Sequence, residues 1–119
     1  MIAVIFESWP KQERGDTYLE MGQSMASLVE GFDGFISIER FESVVQTGKF
    51  VALSFWRDEA AVTAWRNVVE HRKIQRGSRQ VVFDDYRLRV ASVIRDYSMR
   101  DRTEVPNDSL DADRTETIQ

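Results

Sequence analysis

The first apolar stretch of the chain predicts a strand that is covered on both faces. Residues Ile2 to Trp9 are apolar at nearly every position until Glu7, a pattern typical of a central strand rather than of one with a solvent face. Pro10 is expected to end the strand, because proline cannot donate a ladder hydrogen bond. After a polar loop, Asp16 or Thr17 is the expected cap of a first helix.

Apolar side chains at three- and four-residue steps predict that first helix. Its stripe comprises Tyr18, Met21, Met25, Leu28 and Val29. Gly31 is the expected stop, since glycine adopts the left-handed conformation common at helix ends. Next, the segment from Phe35 to Ser43 alternates between apolar and polar residues, and Phe50 to Trp56 is apolar. With a turn at Thr47-Gly48 between them, these two stretches predict an antiparallel hairpin.

A second helix is predicted directly after the hairpin. Asp58 has the chemistry of its N-cap, because a carboxylate accepts the free N–H groups of the first turn. The apolar stripe that follows comprises Ala61, Val62, Trp65, Val68 and Val69. His71 is the single histidine, and it lies about 600° of helix rotation beyond Trp65, so the two are expected on different faces.

The last regular stretch, Tyr86 to Tyr97, alternates strongly and predicts a final strand. The order strand, helix, strand, strand, helix, strand predicts an α+β fold, the ferredoxin-like βαββαβ arrangement with an antiparallel sheet and both helices on one face. The opposite face is too apolar to remain open to water, so we expect a homodimer that buries it. Residues 1–98 form the predicted domain, and 99–119 a polar tail that is disordered or packed on the partner subunit.

Composition narrows the classes of function. A chain of 119 residues with 42% hydrophobic content is one domain. The net charge of −4 argues against a nucleic-acid partner. The chain has no cysteine and one histidine, so we do not expect a zinc site. There is no signal peptide pattern and no apolar run of membrane-spanning length, so the expectation is a cytoplasmic protein without a membrane partner.

Four segments follow one another in an informative order. They are GFDGF (31–35), VALSFWRDEAAVTAW (51–65), His71, and Tyr86 leading to VIRDY (93–97). Their order and spacing resemble the antibiotic biosynthesis monooxygenase family over most of residues 1–98. That resemblance implies a dimeric α+β barrel with a pocket between helices and sheet in each subunit.

The same resemblance implies two kinds of activity. Some members are cofactor-free oxygenases that act on polycyclic aromatic phenols, and others degrade haem. The haem-degrading branch uses an asparagine late in the first strand, a tryptophan on the second helix and a histidine further along it. Trp65 matches the tryptophan; Ser8 stands at the asparagine position, and the histidine position falls near Gln75, one turn after His71.

We expect three residues to act in catalysis. His71 is a candidate general base, because imidazole titrates near neutral pH, and Tyr86 is a second polar candidate. Trp65 is a candidate wall for an aromatic ligand. Each also has a structural interpretation: His71 as a hydrogen-bonded residue at a helix bend, and Trp65 as a core anchor of its helix.

Ser8, Trp56 and Arg95 are the predicted substrate-binding residues, although Trp56 also fits a core role and Arg95 an ion pair across the sheet. The favoured function is a cofactor-independent monooxygenase that oxidises a small aromatic or polycyclic compound with molecular oxygen. The first alternative is a haem-binding or haem-degrading monooxygenase. The second is a non-catalytic dimeric ligand-binding module, whose pocket the protein's own Trp, Phe and Met side chains would fill.

Overall fold

The computed structural model describes residues 1–75 and 82–109, without the side chains of residues 71–75. The elements in chain order are β1 (Ile2–Pro10), a 3-10 turn (Gln12–Arg14), α1 (Gly15–Val29), β2 (Phe35–Glu42), β3 (Phe50–Trp56), α2 (Glu59–Gln75) and β4 (Phe83–Ser92). Over the described ranges, the strands form one antiparallel sheet in the order β2-β3-β1-β4. This is the predicted α+β, ferredoxin-like arrangement, which is thereby confirmed.

The strand register separates the two faces of the sheet. Phe6 lies opposite Ala52 of β3 and Leu88 of β4, and Ser8 lies opposite Phe50 and Tyr86. Directly opposed residues point to the same face, so these side chains share one side of the sheet.

Both helices lie over that side. The Trp56 ring of β3 packs against Trp65 of α2, with ring centroids 6.2 Å apart. At the other end of β3, the Phe50 ring is 5.2 Å from Tyr18 of α1. We call this side the helix-side face and the opposite side, which carries Glu7, the outer face.

Several local predictions are confirmed. The Asp58 carboxylate accepts a hydrogen bond from the Ala61 N–H at 2.9 Å, which is the capping contact expected at the start of α2. Gly31, directly after α1, has φ +80°, a conformation that a side chain would strain. Gly48, in the hairpin turn, has φ +87°. The bounds of β3 are those predicted.

The start of α1 differs from its prediction. The helix begins at Gly15 rather than after an Asp16 or Thr17 cap, and Arg14 occupies the N-cap position with no side-chain capping bond. The preceding 3-10 turn explains this, because it feeds the chain directly into the helix. Asp16 instead lies in the first turn, where its charge favours the positive end of the helix dipole.

The last strand also differs. It runs over Phe83–Ser92, whereas the alternation predicted a strand from Tyr86 to Tyr97. Ser92 already pairs with Ile2 at the beginning of β1. Beyond it the backbone gains one further bond, from Val93 N–H to the Met1 carbonyl at 3.0 Å. The last residue of β4 therefore lies beside the first residue of β1, its partner strand.

The described part of the tail makes local hydrogen bonds. The Ser98 hydroxyl accepts from the N–H groups of Arg100 and Asp101 at 3.3 and 2.9 Å. The Asp101 carboxylate accepts from the Thr103 hydroxyl at 2.6 Å. Residues 110–119 lie outside the described part, so the tail's packing on a partner stays a prediction. Within the described ranges, we find no helix that is both long and apolar enough to cross a membrane.

Candidate functional site

One end of the helix-side layer is a closed aromatic group of Phe32, Phe35, Trp56 and Trp65. Phe32 lies 5.2 Å from Trp65, and Phe35 lies 5.4 Å from Trp56, both edge to face. Trp56 is 2% exposed, and its indole N–H donates to the Ser54 hydroxyl at 2.9 Å. Rings at these spacings with a satisfied indole N–H stabilise the core.

The segment 31–35 positions this closed group. Gly34 has φ +87°, and its carbonyl accepts a hydrogen bond from the Arg57 N–H at 2.8 Å. The Arg57 guanidinium donates two hydrogen bonds to Asp33, at 3.0 and 3.2 Å. These bonds lower the pKa of Asp33 below its ordinary value and raise the pKa of Arg57. The segment therefore holds Phe32 and Phe35 against the two tryptophans.

The other end of the layer is an open aromatic group of Phe6, Tyr18, Phe50, Phe83 and Tyr86. Phe6 lies 5.6 Å from both Phe83 and Tyr86. Tyr18 of α1 lies 5.2 Å from Phe50 and 5.8 Å from Phe83. Tyr86 is 60% exposed, so this end of the layer reaches solvent along β4.

Ser8 lies within the open group. The residue is 0% exposed, and its hydroxyl has no hydrogen-bond partner among the described residues. A buried hydroxyl without a partner is costly by about 1–3 kcal/mol, and such groups often mark functional positions. Ser8 pairs across the sheet with Tyr86, so two hydroxyl-bearing side chains are neighbours here.

The helices leave part of the helix-side face uncovered between the two aromatic groups. Leu88 and Val90 of β4 share the face of Phe6, and they are 52% and 44% exposed. Together with Tyr86 they form an apolar strip along the edge strand. Apolar area of this kind inside a helix–sheet layer is suited to an apolar ligand.

Two shallow depressions elsewhere on the described surface are less suited to this role. One, of about 310 Å³, lies by the β2–β3 hairpin and includes Glu7 and Lys49. The other, of about 500 Å³, lies by Met1 and Arg57. Neither contains a residue that the sequence singled out for chemistry.

The structure divides the predicted site residues between the two ends. Trp56 and Trp65 are in the closed group, whereas Ser8 and Tyr86 are in the open group. Since Ile2 pairs with Trp56 and Ser8 with Phe50, the ends are about 20 Å apart along β1, at about 3.4 Å per residue.

The remaining two predicted residues lie elsewhere. Arg95 is exposed and follows the end of β4 on the Trp56 side of the sheet, far from Ser8. The backbone of His71 belongs to α2. Its side chain lies outside the described residues, and the role assigned to it stays a prediction.

Sequence reasoning missed Arg40. It lies opposite Ala52 on the helix-side face, partly buried, with its guanidinium carbon 5.8 Å from the centre of the Tyr18 ring. A Cβ at Gly22 of α1 would overlap the guanidinium. The signal was present in the sequence: a glycine inside the apolar stripe of a helix leaves space that another side chain fills.

The family comparison identifies the fold and its relatives. Residues 1–77 match the family model described as antibiotic biosynthesis monooxygenase. The chain belongs to this family. The resemblance inferred from the sequence motifs is therefore confirmed.

Two curated relatives support the assignment. A jasmonate monooxygenase of Pyricularia oryzae is 41% identical over 93 residues, covering 78% of this chain and 43% of that protein. This chain therefore spans about two fifths of the length of that relative. An uncharacterized protein of Bacillus subtilis, YqjZ, is 32% identical over 101 residues, covering 85% of this chain and 86% of that protein.

Solved structures share the fold of this monooxygenase-family chain. A haem-degrader of Mycobacterium tuberculosis with two haems bound superimposes with a TM-score of 0.66 and 19% identity, covering 82% of this chain and all of that one. Identity at this level shows the fold alone. Within the described residues, no group of three or more carboxylate or histidine side chains is placed to hold a metal ion.

Proposed function

We propose that this chain is a cofactor-independent monooxygenase that oxidises a small, mainly apolar aromatic compound with molecular oxygen. The observation that carries the proposal is the open aromatic group around the fully buried, unpartnered hydroxyl of Ser8. The family supports monooxygenase chemistry. The exposed apolar strip beside that hydroxyl supports an apolar substrate.

In this proposal the predicted residues Ser8, Tyr86 and His71 each have a role. The substrate's flat body lies along the strip of Tyr86, Leu88 and Val90. The hydroxyls of Ser8 and Tyr86 bind its polar substituent, since an apolar pocket with a few polar groups fixes orientation. His71 removes the substrate proton as a general base, a role that rests on the family resemblance and on the ordinary titration range of imidazole.

The two tryptophans have a structural part in this proposal. Trp65 packs against Trp56 with ring centroids 6.2 Å apart, and both lie in the closed group, about 20 Å along the sheet from Ser8. The wall predicted for Trp65 and the substrate contact predicted for Trp56 are therefore not part of the proposed site. Arg95 is too exposed and too far along the sheet to contribute to binding at Ser8, so we give it no part in the proposed site.

The chemistry needs no redox group from the protein. A methylene activated by neighbouring aromatic rings loses a proton to the base, and the resulting carbanion transfers an electron to O2. The two radicals combine to a peroxide, which loses water to leave a carbonyl. One O2 is consumed for each methylene, with one oxygen atom retained in the product and the other released as water.

A homodimer is part of the proposal. The outer face carries Ile5, Leu53 and Phe55, which are only partly buried, and Phe41, which is 43% exposed. A second copy that packs on this face would cover them. We expect light scattering to give twice the mass of one 13.8 kDa chain; the mass of a single chain would contradict this part.

The other two sequence-based hypotheses have less support. A haem iron needs an axial ligand, and His71, the single histidine, would have to supply it in place of the base role proposed above. No contact among the described residues favours haem. A non-catalytic module would have its pocket filled by the protein's own rings; at the open end, the rings leave Leu88 and Val90 52% and 44% exposed.

The proposal is tested by oxygen uptake with anthrone, an aromatic ketone with an acidic methylene group. Chelator-treated, cofactor-free protein should consume O2 above the spontaneous rate, one molecule for each anthrone. Ser8→Ala and Tyr86→Phe should each lower kcat/KM about tenfold, the effect of losing one substrate hydrogen bond. Uptake that stays at the spontaneous rate, or that requires an added flavin or metal, would contradict the proposal.

The second buried serine provides the matched control. Ser54 is 6% exposed, and it accepts the Trp56 indole bond in the closed group. Ser54→Ala should leave kcat/KM unchanged. It should cost about 1–2 kcal/mol of stability, because the buried indole N–H of Trp56 then lacks an acceptor. Ser8→Ala should instead leave stability unchanged or raise it by about 1 kcal/mol. Equal effects of the two substitutions on activity would show that Ser8 has only a structural role.

A further inference from the structure

Arg40 is a partly buried cation without a carboxylate partner. Its guanidinium lies between α1 and the sheet. Among the described residues, the guanidinium carbon lies over the Tyr18 ring, 5.8 Å from the ring centre. No carboxylate of the described residues lies within ion-pair distance of it. Removing a charge from water without pairing it is unfavourable, so such a group favours an anion beside it.

Several other cations in the described part of the chain have a carboxylate partner. Lys11 lies 3.3 Å from Asp84, Lys49 lies 3.4 Å from Glu7, and Arg89 lies 2.9 Å from Glu7. These pairs are at the edge of the sheet or on the outer face. Described cations that have no such partner, such as Arg66, are exposed, whereas Arg40 is partly buried inside the helix–sheet layer.

Arg40 is also held in place. Tyr18, Gly22 and Val29 lie on one side of α1, and the first and last of these are buried. The guanidinium occupies the space that a side chain at position 22 would fill. A planar guanidinium fixed by a ring face and a helix backbone is preorganised, so little freedom is lost when its remaining N–H groups bind an anion.

We propose that Arg40 binds a carboxylate of the substrate, so that the substrate class is a small apolar or aromatic acid. This inference rests on the proposed function, because it names the substrate for the same layer. A carboxylate fits a guanidinium with two parallel hydrogen bonds. This contact would hold the carboxylate end of the substrate in one position.

The sheet neighbours of Arg40 are small or partly exposed. Across from Arg40, Ala52 contributes a single methyl group, and on its own strand Ile38 is 40% exposed. Tyr18 links the guanidinium to the open aromatic group: Arg40 to Tyr18 and Tyr18 to Phe83 are each 5.8 Å. Because β2 and β4 are the two edge strands, about 14 Å apart, a substrate that contacts both Arg40 and the strip on β4 must be at least that long.

The test compares two probes of the same shape, 2-naphthoate with a charged carboxylate and 2-naphthamide with a neutral carboxamide, by calorimetric titration of the full chain. Wild type should bind the naphthoate at least about tenfold more tightly, the expected effect of one bidentate charged contact. Arg40→Gln should abolish that preference and leave naphthamide binding unchanged. If Arg40 has only a structural role, Arg40→Gln should weaken the binding of both probes equally.

Further variants keep the test valid if Arg40→Gln folds poorly. Gly22→Ala retains the charge but displaces the guanidinium, so naphthoate should bind about tenfold more weakly. Arg40→Lys retains the charge but not the two parallel N–H donors, so its affinity for naphthoate should be intermediate. Arg66→Gln is the matched control: it removes one exposed charge from α2, and it should leave the preference intact.

The outcomes separate this inference from the proposed function. A wild-type protein with no preference for naphthoate, including one that binds neither probe at millimolar concentration, overturns the role of Arg40. If oxygen uptake with neutral anthrone nevertheless occurs, the proposed function stands without it. A preference that depends on Arg40 in a protein that consumes no oxygen supports the inference and contradicts the proposed function.

Discussion

The two ends of the helix–sheet layer use similar residues for different purposes. Each end has several aromatic rings between 5 and 7 Å apart and a buried serine. In the closed group, Ser54 is bonded to Trp56, which is 2% exposed, and the other three rings are partly buried. In the open group, Ser8 is bonded to no described residue, and Tyr86 is largely exposed.

This difference shows where the fold obtains stability and where it gives stability up. Covered rings with satisfied polar groups stabilise the folded chain. An unpartnered hydroxyl and exposed apolar strand residues lower stability, and they persist most readily where a ligand can use them. Substitutions should therefore affect folding at the closed end and ligand chemistry at the open end.

The largest expected effect is that of removing a ring from the closed group. Trp56→Ala should lower the free energy of unfolding by about 3–5 kcal/mol, because a fully buried indole is replaced by a cavity. Tyr86→Ala, at the open end, should cost less than about 1 kcal/mol. Urea denaturation measures both values. Equal losses at the two positions would remove the distinction between the ends.

A smaller loss is expected at Gly34, in the loop that supports the closed group. Gly34→Ala should cost about 3 kcal/mol, since φ is +87° and the new Cβ would overlap the Ala61 side chain. Gly31→Ala is the matched control, with φ +80° and open space around it; it should cost about 1 kcal/mol. Thermal unfolding of both variants compares backbone strain with and without the steric overlap.

The smallest effect concerns the Asp33–Arg57 pair in the same loop. Arg57 lowers the pKa of Asp33 below its ordinary value of 3.8. The stabilisation is therefore present above about pH 4 and lost as the pH falls through the folded-state pKa. Asp33→Asn should be slightly less stable than wild type at about pH 6, and the two should converge near about pH 2.

Urea midpoints at the two pH values test that convergence. Glu20→Gln is the control, because Glu20 is an exposed carboxylate of α1 without an ion pair in the described part of the chain. A gap between Asp33→Asn and wild type that persists in acid would show that the loop depends on side-chain shape rather than on charge.

The closed end was the more predictable from sequence. Its determinants are local: the Asp58 cap, the glycines of segment 31–35 and the apolar stripe of α2 are all visible as residue types at fixed spacings. The length of β4 was not predictable in this way. Alternation continues to Tyr97, but a strand needs a partner, and β1 begins at Ile2.

The open end depends on residues that are distant in sequence. Ser8 and Tyr86 become neighbours only through the β1–β4 pairing, and periodicity does not reveal that a hydroxyl lies unpartnered among rings. The alternation of β2 does not show that Arg40 lies on the face that the helices cover. Its position under α1 follows from the glycine at 22, which is a property of the helix and not of its own strand.

The fit of Arg40 against Gly22 also has an evolutionary consequence. Glycine at position 22 costs about 1 kcal/mol in helix propensity. The Arg40 guanidinium that packs into the free space offsets this cost. The two positions are then coupled, although 18 residues separate them in sequence. Related chains that gain a side chain at the helix position should carry a short residue at the strand position, and single replacements should be rarer than paired ones.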